Sequence, residues 1–156
     1  MTKVANPLGR RLKRLIVAVA ARGCRRPKMS LSAIRARAPR RILIVRQHNQ
    51  MGDMVCATPA LRALRYAFPG ARLALVTAPV NHEVVRHNPD LDRVLLFDRA
   101  VWRSPPRLLR FLADVRGFRP DLAVVLNSVS FSVTSAWIAA ASGAPVIMGG
   151  DSRPFG

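Results

Sequence analysis

The chain from Arg41 onward alternates short apolar runs with longer stretches whose apolar residues recur at helical spacing. The short runs are rich in β-branched residues and apolar at successive positions, which is typical of strands covered on both faces. The predicted strands are Ile42–Arg46, Arg72–Thr77, Arg93–Phe97, Leu122–Leu126 and Pro145–Met148. The predicted helices between them are Val55–Phe68, Val80–His87, Pro106–Phe118 and Phe131–Ser142. This alternation of strands and helices predicts βαβ units and an α/β fold with a Rossmann-like, doubly wound parallel sheet.

A proline complicates the first predicted helix, because Thr58-Pro59 falls inside its apolar pattern. A helix capped near Asp53 would kink at Pro59, which removes a backbone hydrogen bond beyond the first turn. Alternatively, the regular helix starts at Thr58 with Pro59 at its first position. Both alternatives predict that residues 47–54 form an open loop facing the carboxyl edge of the sheet.

Residues 1–40 have a different pattern and form a separate basic arm and linker ahead of the Rossmann-like domain, 41–156. Apolar and basic residues of the arm fall on opposite sides of a helix, which predicts a basic amphipathic helix. The apolar set is Leu8, Leu12, Leu15, Ile16 and Val19, and the basic set is Arg10, Arg11, Lys13 and Arg14. Pro27 and Pro39 bracket the segment Lys28–Ala38, which we interpret as a linker.

The net charge of +18 belongs mostly to this arm. The first 41 residues contain 13 basic residues and no acidic one, whereas the remaining 115 contain 13 basic and 8 acidic residues. A basic amphipathic helix suits an anionic membrane surface, which residues 8–26 would contact. The alternative is that the helix packs on its own domain or frays in water. Nucleic acid is a disfavoured partner, because the arm has no aromatic residue for base stacking.

The sequence predicts a cytoplasmic protein at the membrane surface. No apolar stretch approaches the roughly 20 residues of a membrane-spanning helix. Leu15–Ala21 resembles the core of a signal peptide, but the arginines at 22, 25 and 26 follow at once and oppose export. The cysteines, Cys24 and Cys56, suggest reduced thiols rather than a disulfide framework or a zinc site.

Familiar catalytic and phosphate-binding motifs are absent from the sequence. It has no P-loop, no G-x-G-x-x-G, no nucleophile elbow and no H-E-x-x-H. Gly52 alone cannot build a phosphate cradle, so we expect neither a bound cofactor nor a metal in this domain. What remains is Asp53, which could accept a proton from a substrate hydroxyl as that oxygen attacks. A purely structural alternative is that Asp53 caps the helix.

The block from Arg41 to Asp98 resembles the N-terminal domain of glycosyltransferase family 9, the bacterial lipopolysaccharide heptosyltransferases. The likeness extends through Asp121-Leu122 and Asn127-Ser128 and covers about residues 41–150. Its elements are the Ile-Leu-Ile-Val-Arg strand, Met51-Gly52-Asp53-Met54-Val55, Thr58-Pro59-Ala60-Leu61-Arg62-Ala63-Leu64, Ala67-Phe68-Pro69-Gly70-Ala71 and Asn88-Pro89 with Val94–Asp98.

The resemblance implies the N-terminal, acceptor-binding half of a GT-B fold. It also implies a metal-independent transfer of sugar from a nucleotide-sugar to a lipid-linked glycan, with Asp53 as general base. Supporting contacts to acceptor hydroxyls would come from His48, Asn49, Gln50, Gly52, Asn127 and Ser128. We expect His82 and His87 to be surface residues, Trp102 and Trp137 to serve packing, and Arg103 and Arg107 to be weaker candidates for acceptor phosphates.

Two features depart from the family pattern. The family often has two small residues before its Gly-Asp pair, where this chain has His48-Asn49-Gln50, so the acceptor sugar is expected to differ. The chain also ends soon after the fifth predicted strand, without the domain that binds the nucleotide-sugar. We therefore expect a truncated or split half, inactive without a donor-domain chain. The alternative is a non-catalytic module that binds a membrane surface or a partner.

Overall fold

A computed structural model describes residues 29–48, 50–126 and 132–149. Its sheet has five parallel strands in the order β3-β2-β1-β4-β5. The strands are β1 (Arg41–Arg46), β2 (Arg72–Thr77), β3 (Arg93–Leu96), β4 (Leu122–Val125) and β5 (Val146–Met148). The α-helices are α1 (Leu31–Ala36), α2 (Met51–Ala67), α3 (His82–Val85), α4 (Pro105–Gly117) and α5 (Val133–Ala141), with 3₁₀ turns at Pro79–Asn81 and Arg99–Arg103. The predicted Rossmann-like α/β fold is confirmed.

The core lies on both faces of the sheet, which explains why the strands read as continuous apolar runs. Successive residues of β1 are buried on alternate faces: Leu43 and Val45 pack with α4 and α5, while Ile42 and Ile44 pack with α1, α2 and α3. The strand order reverses direction at β1, with β2 on one side and β4 on the other. The gap beyond the carboxyl ends of β1 and β4 is therefore the topological switch point of the sheet.

The helix α2 begins earlier than the sequence indicated and runs through its proline. It starts at Met51, so the predicted open loop 47–54 is wrong and the connection from β1 is only residues 47–50. Pro59 lies in the interior of this helix and cannot bond to the carbonyl of Val55. The Thr58 hydroxyl donates to that carbonyl at 2.7 Å, so the backbone acceptor is satisfied and the helix continues.

The segment interpreted as a linker contains the helix α1. Ser30 caps it by accepting a hydrogen bond from the Ala33 amide at 3.2 Å, and Ile34 is buried against the core. This helix was not predicted from the sequence, because it has only six residues and a single buried position. The start of β1 that follows is fixed by the Asp121 carboxylate, which accepts from the amides of Arg40 and Arg41 at 2.9 Å each.

The far end of α2 is fixed by Arg65. Its guanidinium donates to the carbonyls of Ala71 at 2.6 Å and Asp90 at 3.0 Å, and to the Asp92 carboxylate at 2.6 Å. The same carboxylate accepts from the Leu73 amide at 2.7 Å. Burial acts to raise the pKa of Asp92, but the Leu73 hydrogen bond and the Arg65 charge outweigh it and hold that pKa below its ordinary value.

Candidate functional site

The candidate site lies at the carboxyl edge of the sheet, around the switch point between β1 and β4. Ligands of open α/β sheets bind in this crevice. Asp53 lies in the first turn of α2, directly after the short connection from β1. Its side chain is 43% exposed, so the carboxylate can meet a ligand from solvent.

Asp53 does not cap α2. The N-cap residue is Gln50, whose side chain makes no capping hydrogen bond, and Asp53 lies three positions further along. The purely structural interpretation of Asp53 as an N-cap is therefore wrong. A carboxylate in the first turn still has a favourable electrostatic interaction with the positive end of the helix dipole.

Arg46, the last residue of β1, connects Asp53 to the neighbouring strand. Its side chain is only 5% exposed, and its Nη2 lies 3.6 Å from Asp53 Oδ2. Its Nη1 donates a hydrogen bond to the carbonyl of Leu126, just past β4, at 2.7 Å. The buried guanidinium of Arg46 thus lies between the ends of β1 and β4 and contacts the half-exposed carboxylate of Asp53.

The next residue, Gln47, joins the same edge to α5. Gln47 is buried, and its Nε2 donates to Ser132 Oγ at 3.2 Å. Ser132 is the N-cap of α5 and accepts from the Ser135 amide, also at 3.2 Å. The amino end of α5 is therefore held beside the end of β1, across the gap from α2.

Asn81 holds the connection 47–50 from the β2 side. This buried side chain donates to the His48 carbonyl at 2.6 Å and to Thr77 Oγ1 at 3.1 Å. No donor within the described ranges reaches its Oδ1, which is buried. The backbone that carries His48 and Gln50 is thus attached to the end of β2.

The structure brings part of the predicted acceptor-binding set to this edge. His48 is half-buried, and Gln50 and Gly52 are exposed. A Cβ at Gly52 would meet nothing within 4 Å, so the fold itself does not require a glycine there. Asn49, Asn127 and Ser128 lie outside the described residues. Leu126, the last described residue before Asn127, is held by Arg46 at the same edge.

The two tryptophans contact each other, as expected for packing residues. The ring centroids of Trp102 and Trp137 are 4.8 Å apart, and Phe97 lies 5.9 Å from Trp102. Trp102 nevertheless remains 48% exposed. Arg103 and Arg107 are exposed nearby in sequence, while His82 is half-buried and His87 is exposed.

Within the part of the chain that the structure describes, no group of three or more His, Cys, Asp or Glu side chains could hold a metal ion. No helix in these ranges is both long enough and apolar enough to cross a bilayer.

An open groove lies at the opposite, amino edge of the sheet, where Arg37, Arg40 and Asp121 form part of its lining.

Four residues of the carboxyl edge were not predicted from the sequence: Arg46, Gln47, Asn81 and Ser132. Arg46 and Gln47 had a signal, since two polar residues end an otherwise apolar strand at the edge where ligands bind. Asn81 and Ser132 had none, because their roles depend on partners 33 and 85 positions away in the chain.

Neither a protein-family model nor a curated protein matches this sequence. Its fold, however, is similar to solved structures of glycosyltransferases. The glycosyl transferase family 9 structure from Veillonella parvula DSM 2008 has a TM-score of 0.61 at 22% identity, over 70% of this chain and 32% of that one. The described fold corresponds to a Rossmann-like half of a GT-B glycosyltransferase.

Two structures from E. coli agree with this match. ADP-heptose lps heptosyltransferase II has a TM-score of 0.55 at 21% identity, over 70% of this chain and 30% of that one. Heptosyltransferase WaaC with ADP has a TM-score of 0.58 at 23% identity, over 72% of this chain and 36% of that one. The chain therefore spans about a third of the length of these proteins, and what it shares with them is the fold.

Proposed function

We propose that this chain is the acceptor-binding half of a heptosyltransferase-type glycosyltransferase, with Asp53 as its general base. The observation that carries the proposal is the half-exposed Asp53 carboxylate at the switch point of a fold shared with heptosyltransferases. The resemblance of the Met51–Val55 and Thr58–Leu64 segments to family 9 supports the same assignment. The nucleotide-sugar would be bound by a donor half, in the same polypeptide or on a second chain.

In the proposed reaction, an acceptor hydroxyl oxygen attacks the anomeric carbon of the nucleotide-sugar. The bond from that carbon to the nucleotide diphosphate breaks, and the diphosphate leaves with the electron pair. Asp53 accepts the hydroxyl proton as the new bond forms. Neither a metal nor a resident cofactor takes part in this scheme.

The acceptor would bind at the carboxyl edge of the sheet, next to residues 47–50 and the start of α2. His48, Asn49 and Gln50, with Asn127 and Ser128 from the β4 side, are proposed to hydrogen-bond its hydroxyls. The open space around Gly52 supports a close approach of the acceptor to the backbone, since the fold does not explain the glycine. We propose a lipopolysaccharide-like, lipid-linked glycan as acceptor and the inner face of the bacterial cytoplasmic membrane as location.

Acceptor binding can be tested on the chain alone by NMR. We expect a deacylated lipopolysaccharide inner-core oligosaccharide to shift the amide signals of residues 47–54, with smaller shifts in a Gly52→Ala chain. Inorganic phosphate at the same concentration controls for simple charge attraction to this basic protein. Shifts confined to the groove at Arg37 and Arg40, or the same shifts with phosphate, would contradict the proposed site.

Catalysis is tested by fusing the chain to the donor half of E. coli heptosyltransferase II and measuring nucleotide release. We expect Asp53→Asn to lower kcat by about 100-fold or more, the usual contribution of a general base, while the melting temperature stays within a few degrees. Asp114→Asn is the matched control, since this carboxylate lies on α4 and contacts Arg93 at 3.5 Å. An Asp53→Asn fusion as fast as the parent would refute the assignment.

The alternative proposal is a non-catalytic module that retained the fold and binds a membrane surface or a partner. The charge of the arm favours it, because the first 41 residues contain 13 basic residues and no acidic one. In that case Asp53→Asn has no functional effect, and the arm carries the function.

A further inference from the structure

Arg46 is an unusual residue at the end of a central strand. The four residues before it in β1, 42–45, are apolar and buried, and the Arg46 side chain itself is only 5% exposed. Burying an arginine costs desolvation free energy unless its donors are paired. An apolar residue at this position would avoid that cost but could not make the polar contacts that Arg46 makes.

The contacts of Arg46 with Leu126 and Asp53 use different nitrogens of its planar guanidinium and join two separate elements. Nη1 donates to the Leu126 carbonyl at 2.7 Å, and Nη2 faces Asp53 Oδ2 at 3.6 Å. Because β1 and β4 are in register at Val45 and Val125, Leu126 lies directly across from Arg46. The end of β4 thereby holds one nitrogen of the guanidinium, while the other faces the Asp53 carboxylate.

The carboxylate has little else to hold it. Among the described residues, no other side chain or amide contacts Asp53 within hydrogen-bond or ion-pair distance. Its backbone position is set by α2, but its side chain would otherwise be free to turn about χ1 at a half-exposed site. An unheld base loses rate, since displacement by about 1 Å can cost roughly 100-fold.

We propose that Arg46 is the positioning residue of this site. Anchored on the carbonyl of Leu126, it holds the Asp53 carboxylate over the gap between β1 and β4. It does not touch the acceptor, because its side chain is buried behind Asp53. The effect of this role on catalysis rests on the proposed function, whereas the ordering of the Asp53 side chain by Arg46 does not.

The test measures the side-chain order of Asp53 in the complete chain through three-bond NMR couplings about χ1. We expect one rotamer in the parent chain and averaged couplings in Arg46→Gln. Glutamine keeps an amide donor for the carbonyl at the end of β4 but removes the positive charge. It therefore separates the hydrogen bond to Leu126 from the ion pair with Asp53. Arg46→Met, which removes both, is expected to give the same averaging with a greater loss of stability.

Arg65→Met provides the matched control, because Arg65 anchors the other end of α2 through several hydrogen bonds. It should lower the melting temperature while leaving the Asp53 couplings unchanged. A single Asp53 rotamer in Arg46→Gln overturns the proposal, as does equal averaging in Arg65→Met. If Arg46→Gln does not fold, the parent chain decides: averaged couplings there overturn the proposal, and loss of the single rotamer on titration with 1 M sodium chloride supports it.

Kinetic measurements distinguish this proposal from the proposed function. In the fusion with a donor half, Arg46→Gln should lower kcat by about 10- to 100-fold and leave the acceptor KM unchanged, the pattern of a misplaced base. An increase in KM alone would overturn the positioning role. If Asp53→Asn has no kinetic effect, the proposed function fails, while the NMR result still decides whether Arg46 orders Asp53.

Discussion

At the scale of single residues, buried or half-buried charges fix the ends of the secondary-structure elements. Arg46 joins the carboxyl ends of β1 and β4, and Arg65 joins the end of α2 to the loop before β3. Asp121 and Asp92 accept backbone amides at the opposite, amino edge of the sheet. Each of these side chains satisfies backbone groups that the parallel ladder leaves without a partner at its ends.

The lowered pKa of Asp92 predicts a pH dependence of stability. Because the folded state holds the proton less tightly than the unfolded chain, the contribution is complete above the unfolded pKa of about 4 and is lost as the pH falls through the folded value. Asp92→Asn should therefore destabilise the chain by about 1 kcal/mol at pH 7 and flatten the pH dependence below about pH 4.

Urea unfolding between pH 7 and pH 2.5 measures this effect. Glu83→Gln is the control, since Glu83 and its partner Arg86 are both well exposed and their contact should contribute little. A parallel pH dependence in the parent chain and Asp92→Asn would show that Asp92 does not carry the expected linkage.

At the scale of elements, α2 shows how a helix tolerates an internal proline next to the candidate site. The residue before the proline supplies the missing donor through its side chain, so the carbonyl of Val55 stays satisfied. This matters for the site because the first turn, with Asp53, lies on the amino side of the proline. A break at Pro59 would separate that turn from the rest of the helix, where the buried Leu61 and the partly buried Leu64 pack in the core.

The coupling between Thr58 and Pro59 is measurable. Thr58→Val should cost about 1 kcal/mol in the parent chain, because the Val55 carbonyl loses its donor. In a Pro59→Ala background the same substitution should cost close to zero, since the new amide at position 59 can bond to that carbonyl. A double-mutant cycle from chemical unfolding gives the coupling free energy, and equal costs in both backgrounds would contradict this account of the helix.

At the scale of the whole molecule, a folded Rossmann-like half is joined to a highly basic arm. Residues 1–28, which include the predicted amphipathic helix, lie outside the described residues, so their membrane association stays a prediction from sequence. The electrostatic contribution to membrane binding is favourable: each lysine or arginine near an anionic surface contributes about 1 kcal/mol, and this attraction weakens with salt.

Vesicle co-sedimentation tests this prediction. Changing Arg10, Arg11, Lys13 and Arg14 to Gln should weaken binding to vesicles containing phosphatidylglycerol by about 100-fold or more. The control changes four exposed arginines of the folded part, Arg62, Arg103, Arg107 and Arg110, and should bind more like the parent. Equal losses in both variants would indicate attraction to overall charge rather than to the arm.

The sequence determined the fold class and the approximate position of every strand. Runs such as Ile42–Arg46 and Arg72–Thr77 are apolar at successive positions because both faces of the sheet are covered, and this local pattern is visible without any tertiary information. The position of Asp53 after the first strand likewise placed this carboxylate at the carboxyl edge of the sheet, since that edge follows from chain direction alone. Its assignment as a base came from the resemblance to family 9.

Tertiary structure decided what surrounds that carboxylate. The start of α2 at Met51, the passage through Pro59 and the helix α1 all depend on contacts that no short window contains. Arg46 reaches Leu126 across 80 positions and Gln47 reaches Ser132 across 85, so their roles appear only when strand order brings β1 beside β4. Periodicity reports which face of an element is buried, whereas the partner of a buried polar group is fixed by the packing of distant segments.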